Sequence, residues 1–242
     1  MIALRVPVRV SRDPRYFQIV SLLLLCIYGL ASLDFPVGCV QIGLILTLSL
    51  LTQWVCGKYF RLRKFDFRSP LISGLSLCLL FRTGSVWLAG LAAVIAIGSK
   101  FLIRIRGKHI FNPTNFGIVC LLVLNDGVWV SPGQWGNVAW FAFLLVCLGG
   151  LVVYRSSRSD ISLAFLVAYC LMLYGRAIWL GDPISIPLHQ LQNGGLLIFS
   201  FFMISDPKTT PNTRAGRMIY AVLIAAVSNW IQFSLFHPNG FL

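Results

Sequence analysis

The chain has 242 residues, 57% of apolar type and 11% charged, with 20 Lys and Arg against seven Asp and no Glu, for a net charge of +13. Soluble domains carry about 25% charged residues, so this composition excludes a water-facing globular protein and points to an integral membrane protein. In a soluble protein the basic excess would suggest nucleic acid; here membrane topology accounts for it, and the partner expected is a lipid bilayer, not nucleic acid.

Arg5, Arg9, Arg12 and Arg15 lead into an apolar run over 17–33 without a small-residue cleavage site. A retained membrane helix is therefore expected there, not a removed signal peptide. Runs over 36–56, 85–103, 135–153 and 217–236 also have spanning length, and 160–175 falls slightly short. A bilayer core of ~30 Å needs about 20 helical residues. Three segments are shorter still: "LISGLSLCLLF" (71–81), "TNFGIVCLLVL" (114–124) and "GGLLIFSFFMI" (194–204). A helix of that length covers only ~16 Å. "RSP", "NP" and "NGG" precede them, and the last runs into "SDPKTTP". Broken helices persist at membrane depth where protein or a polar cavity covers their free backbone groups, and in transporters they build binding sites. Short, tilted helices with polar ends are the simpler alternative.

With the N-terminus in the cytoplasm and each segment crossing, 18 of the 20 basic residues lie on the cytoplasmic side, leaving Arg82 and Arg176 outside. That is the bias of the positive-inside rule. The fold class expected is all-α: a polytopic integral membrane protein with about eight membrane-crossing segments, including short discontinuous helices, and termini on opposite sides. Residues 1–16 form a cytoplasmic basic segment, 17–236 a single transmembrane helical domain and 237–242 a short extracytoplasmic tail. An internal echo adds to this picture. "SPLISGLSLCLL" and "NPTNFGIVCLL" both place Gly four residues after Pro, then Cys, then a Leu pair, as two half-helices entering from the same side would.

The polar stretch "KHIFNPTNFG" (108–117) stands at the cytoplasmic entrance of one short segment. Asn112 suits a helix N-cap and Pro113 the first helical position. A helix N-terminus offers N–H donors and positive potential to an anion or carbonyl oxygen, and Lys108 and His109 stand beside this one. "SDPKTTPNTRAGR" (205–217) falls on the same side, stiffened by Pro207 and Pro211. Together they suit a planar heterocycle with carbonyls and a hydroxylated or phosphorylated tail; equally, they suit juxtamembrane turns that carry anchoring charge. The candidate binding residues are Lys108, Asn112, Pro113, Asn115, Gly117, Asp206, Pro207, Lys208 and Thr210, with Asp206 either capping, accepting a ring N–H or pairing with Arg214.

"GKHIFNPTNFG" followed by "FMISDPKTTPNTRAGRMIY" resembles the RnfD/NqrB family, the membrane proteins RnfD of the Rnf electron-transport complex and NqrB of the sodium-translocating NADH:quinone reductase. "SPLISGLSLCLLF" and "SPGQWGN" (131–137) fit that family in the same order. The resemblance implies discontinuous helices, other membrane or redox subunits as partners, and flavin work in a bacterial-type inner membrane or an internal energy-transducing membrane. Family members carry FMN covalently on a Thr within Ser-Gly-Ala-Thr in an extracytoplasmic loop. No such tetrapeptide occurs here, and the loop 176–193 has no Thr. A noncovalent flavin, riboflavin or FMN, is expected instead.

No catalytic set and no metal site is expected. His109, His189 and His237 are far apart in sequence, and the seven Cys form no CxxC; small apolar helix residues are their simplest role, since an iron–sulfur centre would need several to converge. Asp126 in "NDG" and Asp182 in "GDP" read as turn residues. Three functions compete: a redox subunit that positions a flavin, a transporter or channel for a small solute such as a flavin precursor, and a structural or assembly subunit of a larger membrane complex.

Overall fold

Residues 13–62, 64–105, 107–131 and 139–242 are described in a computed structural model, all but 139–142 with their side chains. The basic residues Arg5, Arg9, Arg12, Arg63 and Arg106, and most of "SPGQWGN", lie outside the described residues. Among those described are ten α-helices, one π-helical turn and four short strands.

Three helices are long and apolar enough to cross a membrane by length and composition: α1 (Pro14–Ser32), α2 (Cys39–Tyr59) and α7 (Ser159–Leu180). Helix α1 begins before its apolar run because the Asp13 carboxylate accepts from Arg15 N at 3.0 Å, giving a partner to an orphan donor of the first turn. Helix α7 has 22 residues, more than the apolar run 160–175, since Tyr174 and Arg176 interrupt the apolar pattern without breaking the helix. It ends at Gly181, whose φ of 74° is the left-handed position that glycine adopts at little cost. Helices α4 (Val86–Leu102), α6 (Ala139–Ser156) and α10 (Arg214–Ser234) complete the long set. Outward-facing side chains are largely apolar, with Trp87 and Trp179 at 86% and 84% exposure near helix ends, as an interfacial aromatic belt requires.

Helix α3 (Arg68–Leu80) has 13 residues, enough for ~20 Å. The strand β1 (Phe81–Thr83) that follows adds ~10 Å, so helix and strand together reach the ~30 Å of a bilayer core. Helix α5 (Pro113–Leu124) runs parallel to α3. Near one end Thr114 Oγ1 donates to Ser73 O at 3.4 Å, and at the other Thr83 Oγ1 donates to Gly127 O at 3.0 Å. The two half-helices thus enter from the same side, as their sequence echo predicts. Past α5, Asn125 Oδ1 accepts from Gly127 N at 2.8 Å, and this turn sends β4 (Val128–Val130) back along β1. The pairing is antiparallel, Phe81 opposite Val130 and Thr83 opposite Val128, and Ser131 N then donates to Leu80 O at 2.8 Å.

Arg82, expected outside, is instead 2% exposed. Its Nη1 donates to the carbonyls of Cys78 and Phe81, both at 2.9 Å, and its Nη2 to that of Leu79 at 3.1 Å. The guanidinium also lies over the Phe35 ring, 5.0 Å from its centroid. The last carbonyls of a helix have no intrahelical donors and form the negative end of its dipole. A cation placed just past the end meets both needs, which is why sequence position alone misassigns it.

A second hairpin, β2 (Arg104–Ile105) with β3 (Lys108–His109), follows α4 and pairs Arg104 with His109. Helix α8 (Ser185–Leu191) precedes α9 (Gly194–Ile198), which Asn193 caps by accepting from Gly195 N at 2.8 Å. The chain then continues into a π-helical turn over Phe199–Met203. Residues 237–242, expected as a short tail, pack on the bundle: Phe241 is buried and its ring centroid lies 5.9 Å from that of Phe199.

Replacing Arg82 by Met keeps the bulk and removes the donors from three carbonyls, each worth ~1–3 kcal/mol when left unsatisfied. The thermal unfolding midpoint in detergent should fall by several degrees or more, with Arg82→Lys intermediate. A melt unchanged by Arg82→Met would mean that these carbonyls find donors without it.

Candidate functional site

Three helix entrances converge on one cavity of about 430 Å³. Helix α1 enters at Asp13 and Pro14, α3 at Ser69 just after Asp66, and α5 at Asn112 and Pro113; Val152 and Ser156 of α6 and the segment from Phe202 to Lys208 close it. Proline opens α1 and α5 because the first helical position has no N–H to lose. Asn112 accepts from Thr114 N at 3.0 Å and Asn115 N at 3.4 Å. Asp66 does the same for Arg68 N at 3.2 Å.

Four charges join the α1 and α3 entrances. Arg68 bonds Asp13 at 2.8 Å and Asp66 at 2.9 Å, while Arg15 bonds Asp13 at 2.7 Å and also Asp66. The hydrogen bond from Arg15 holds the Asp13 carboxyl below its ordinary range. Burial pushes the Asp66 carboxyl upward, but Arg68 and Arg15 outweigh it and the net shift is down. The sequence carries a signal for this quartet: Asp with Arg two residues later, beside a proline, at both entrances ("DPR" and "DFRSP").

Within the cavity, α3 presents Ser69, Ser73 and Ser76, whose spacing puts them on one helix face. Ile72, Val152, Phe202 and Met203 supply an apolar wall. Behind Ser69 lies the buried Lys100, whose Nζ donates to Gln53 Oε1 at 2.7 Å and Ser69 Oγ at 3.0 Å. His109 lines the cavity at 7% exposure, and its Nδ1 is sealed with no hydrogen-bond partner. Burial, then the charges of Lys208, Lys100 and Arg104, pull the pKa of His109 down to about 4, so the ring is neutral. Burial pushes the Asp206 carboxyl up, against the Lys208 N–H and charge.

Cations from three elements fix the 205–213 loop. Lys108 Nζ donates to Asn212 Oδ1 at 2.6 Å and Thr210 O at 3.4 Å; Arg158 reaches Pro211 O at 3.1 Å and Arg217 reaches Asn212 O at 2.8 Å. Inside the loop Thr210 Oγ1 donates to Asp206 O at 2.9 Å, and the Asp206 carboxylate accepts from Lys208 N at 2.9 Å. Asp206 therefore caps its own turn, and no ion pair with Arg214 forms among the described residues.

Of the residues singled out in the sequence, Asn112, Pro113, Asp206, Pro207 and Lys208 line this cavity. Lys108 and Thr210 build the loop that bounds it. Two are placed elsewhere. Asn115 is one residue beyond Thr114, which faces the cavity, and a helix turns ~100° per residue; it lines a separate groove of about 700 Å³ with Phe116, Tyr220 and Phe241. Gly117 packs against α4, where a Cβ would come within 2.9 Å of Ala92 O, so its role is close helix approach. The residues missed are His109, the α3 serines and the Asp–Arg quartet.

A histidine held neutral near pKa 4 when folded, against about 6.5 when unfolded, binds fewer protons in the folded state. Its contribution to stability is complete above about pH 6.5 and is lost as the pH falls toward 4. His109→Gln should therefore lose less of its thermal stability than the parent between pH 7 and pH 5. Equal losses would contradict a neutral, buried His109.

Comparison with known proteins bears on the second half of the chain: residues 124–242 match the model of the NQR2, RnfD, RnfE family. The RnfD protein of the ion-translocating oxidoreductase complex of Alcanivorax borkumensis is 35% identical over 103 residues, 40% of this chain and 30% of that protein. Its counterpart from Escherichia coli is 36% identical over 122 residues, 48% of this chain and 32% of that protein. The chain thus spans about a third of the length of the curated relatives it matches. The family match takes in the 205–213 loop and α10, and by its residues 124–242 the chain belongs to the NQR2, RnfD, RnfE family.

Proposed function

We propose that the chain is a membrane subunit of an Rnf-type electron-transport complex and that its cavity holds a flavin, riboflavin or FMN, without a covalent link. The observation that carries this reading is the convergence of the α1, α3 and α5 entrances on the same cavity as the family-matched 205–213 loop. The residues present fit such a group. The volume of about 430 Å³ falls within the 300–1,000 Å³ of small-molecule sites. Phe202 and Met203 offer an apolar wall to a ring face, and the row of Ser69, Ser73 and Ser76 offers hydroxyls to a hydroxylated tail. Asp206 and Lys208 stand where polar ring atoms would need partners. When bound, a flavin supplies the redox chemistry. The chain's part is to orient it, shield it from lipid and set the local potential: helix entrances carry positive potential, which favours an electron-rich reduced ring.

The crossing count follows from parity. Six long helices and three short segments make nine, one more than the eight expected, and only an odd number puts the termini on opposite faces. Helix α3 completes its crossing with β1, and α8 with α9 and the π-helical turn supply another. The cavity end, where Lys108, Arg158, Lys208 and Arg217 cluster, is then cytoplasmic by the positive-inside rule. Single cysteines at Lys64 and at Arg214 should react with a membrane-impermeant thiol reagent only from the cytoplasmic face. Labelling from the outer face would overturn the orientation.

Riboflavin binding, followed by quenching of its fluorescence, should weaken about 5–150-fold in Asp206→Ala and in Lys208→Met, the range for loss of one buried polar partner. Asn115→Ala, in the other groove, should bind like the parent. Denaturation should release the pigment, leaving no fluorescent band in a denaturing gel. Parent-like binding by both loop variants, or a fluorescent denatured band, would count against the noncovalent site.

A further inference from the structure

His109 has no assigned role, and its surroundings ask for one. Strand β3 is two residues long and pairs with β2, Arg104 opposite His109. Successive strand residues point to opposite faces, so Lys108 goes to the 205–213 loop and His109 to the cavity. There it is 7% exposed, and no hydrogen bond to the imidazole forms among the described residues. Buried side-chain polar atoms are bonded in the large majority of cases. No acidic group offsets the cations of Lys208, Lys100 and Arg104 that influence this ring, so a proton on it is disfavoured. A neutral imidazole suits an uncharged heteroatom, a carbonyl or ring N–H, better than a phosphate. Lys208, the first of the charges acting on His109, belongs to the loop that bounds one side of the cavity, while the α3 serines lie on another element.

We propose that His109 is a ligand-reading residue whose imidazole hydrogen-bonds an uncharged heteroatom on the ring of the bound heterocycle and orients that ring toward the Asp206–Lys208 loop. This rests on the flavin reading above and goes beyond it by assigning a specificity residue and the part of the ligand it reads.

The test uses the whole chain in mild detergent, titrated with riboflavin and with lumiflavin, which has the same ring and no ribityl tail. His109→Phe fills the space without nitrogens, and His109→Gln restores a polar atom near the outer ring nitrogen. The Phe variant should weaken binding of both probes by a similar factor, about 5–150-fold, and the Gln variant should recover most of it. Thermal melts of the unliganded variants show that each is folded. If Phe binds both probes like the parent, or Gln binds as weakly as Phe, the inference is wrong while the flavin reading stands. An effect on riboflavin that vanishes with lumiflavin would place His109 on the tail and overturn the assignment to the ring. If the folded parent binds neither probe, the flavin reading itself fails and takes this inference with it.

Discussion

The carbonyls at the C-terminal end of α3 have no water to turn to. A 13-residue helix that starts at one face of the bundle stops inside it, and each buried carbonyl left without a donor would cost on the order of 1–3 kcal/mol. Two devices answer this need. Arg82 covers the carbonyls of Cys78, Leu79 and Phe81, and β1 takes β4 as its partner. Because β4 follows α5, the solution for one half-helix fixes the place of the other. Parallel half-helices with a shared strand pair at one end have their entrances together at the other, and that is where the cavity lies. Arg82 offsets the negative end of the α3 dipole, so the positive end remains available to the cavity.

The electrostatics of that cavity are divided by element. Arg15 and Arg68 are matched by Asp13 and Asp66 at its mouth. Their side chains are 26–35% exposed, so each pair contributes at most ~1 kcal/mol, and the quartet acts mainly to hold the α1 and α3 entrances in register. Lys108 is committed to the loop and Lys100 to Gln53 and Ser69. Lys208 and Asp206 remain, together with the neutral His109 and the α3 hydroxyls. Such a set favours a largely uncharged planar ligand with a polar edge over a simple anion.

What could be read from the sequence was local chemistry. Asn112 as a cap, Pro113 at the first helical position, "NDG" as a side-chain-closed turn and two half-helices entering from one side all depend on residues within a few positions of each other. What could not be read depends on distant partners. The quartet couples residues 51 and 55 positions apart, so each Asp–Arg pair looks like an isolated helix start. Arg82 looks like a loop charge until β4 covers it. Gly117 shows the same ambiguity in another form, because a glycine for close helix packing and a glycine for ligand approach are the same letter. Asn115 shares a motif with Asn112 but not a face, and the rotation between them matters only once the neighbours of α5 are known.

The visible absorption spectrum of the chain, purified in mild detergent, incubated with riboflavin and freed of unbound pigment, tests the central claim most directly. A noncovalent flavin cavity predicts that the protein fraction keeps flavin absorption bands in about one-to-one ratio with the chain and releases them on denaturation. A folded but colourless protein after the same treatment would contradict it.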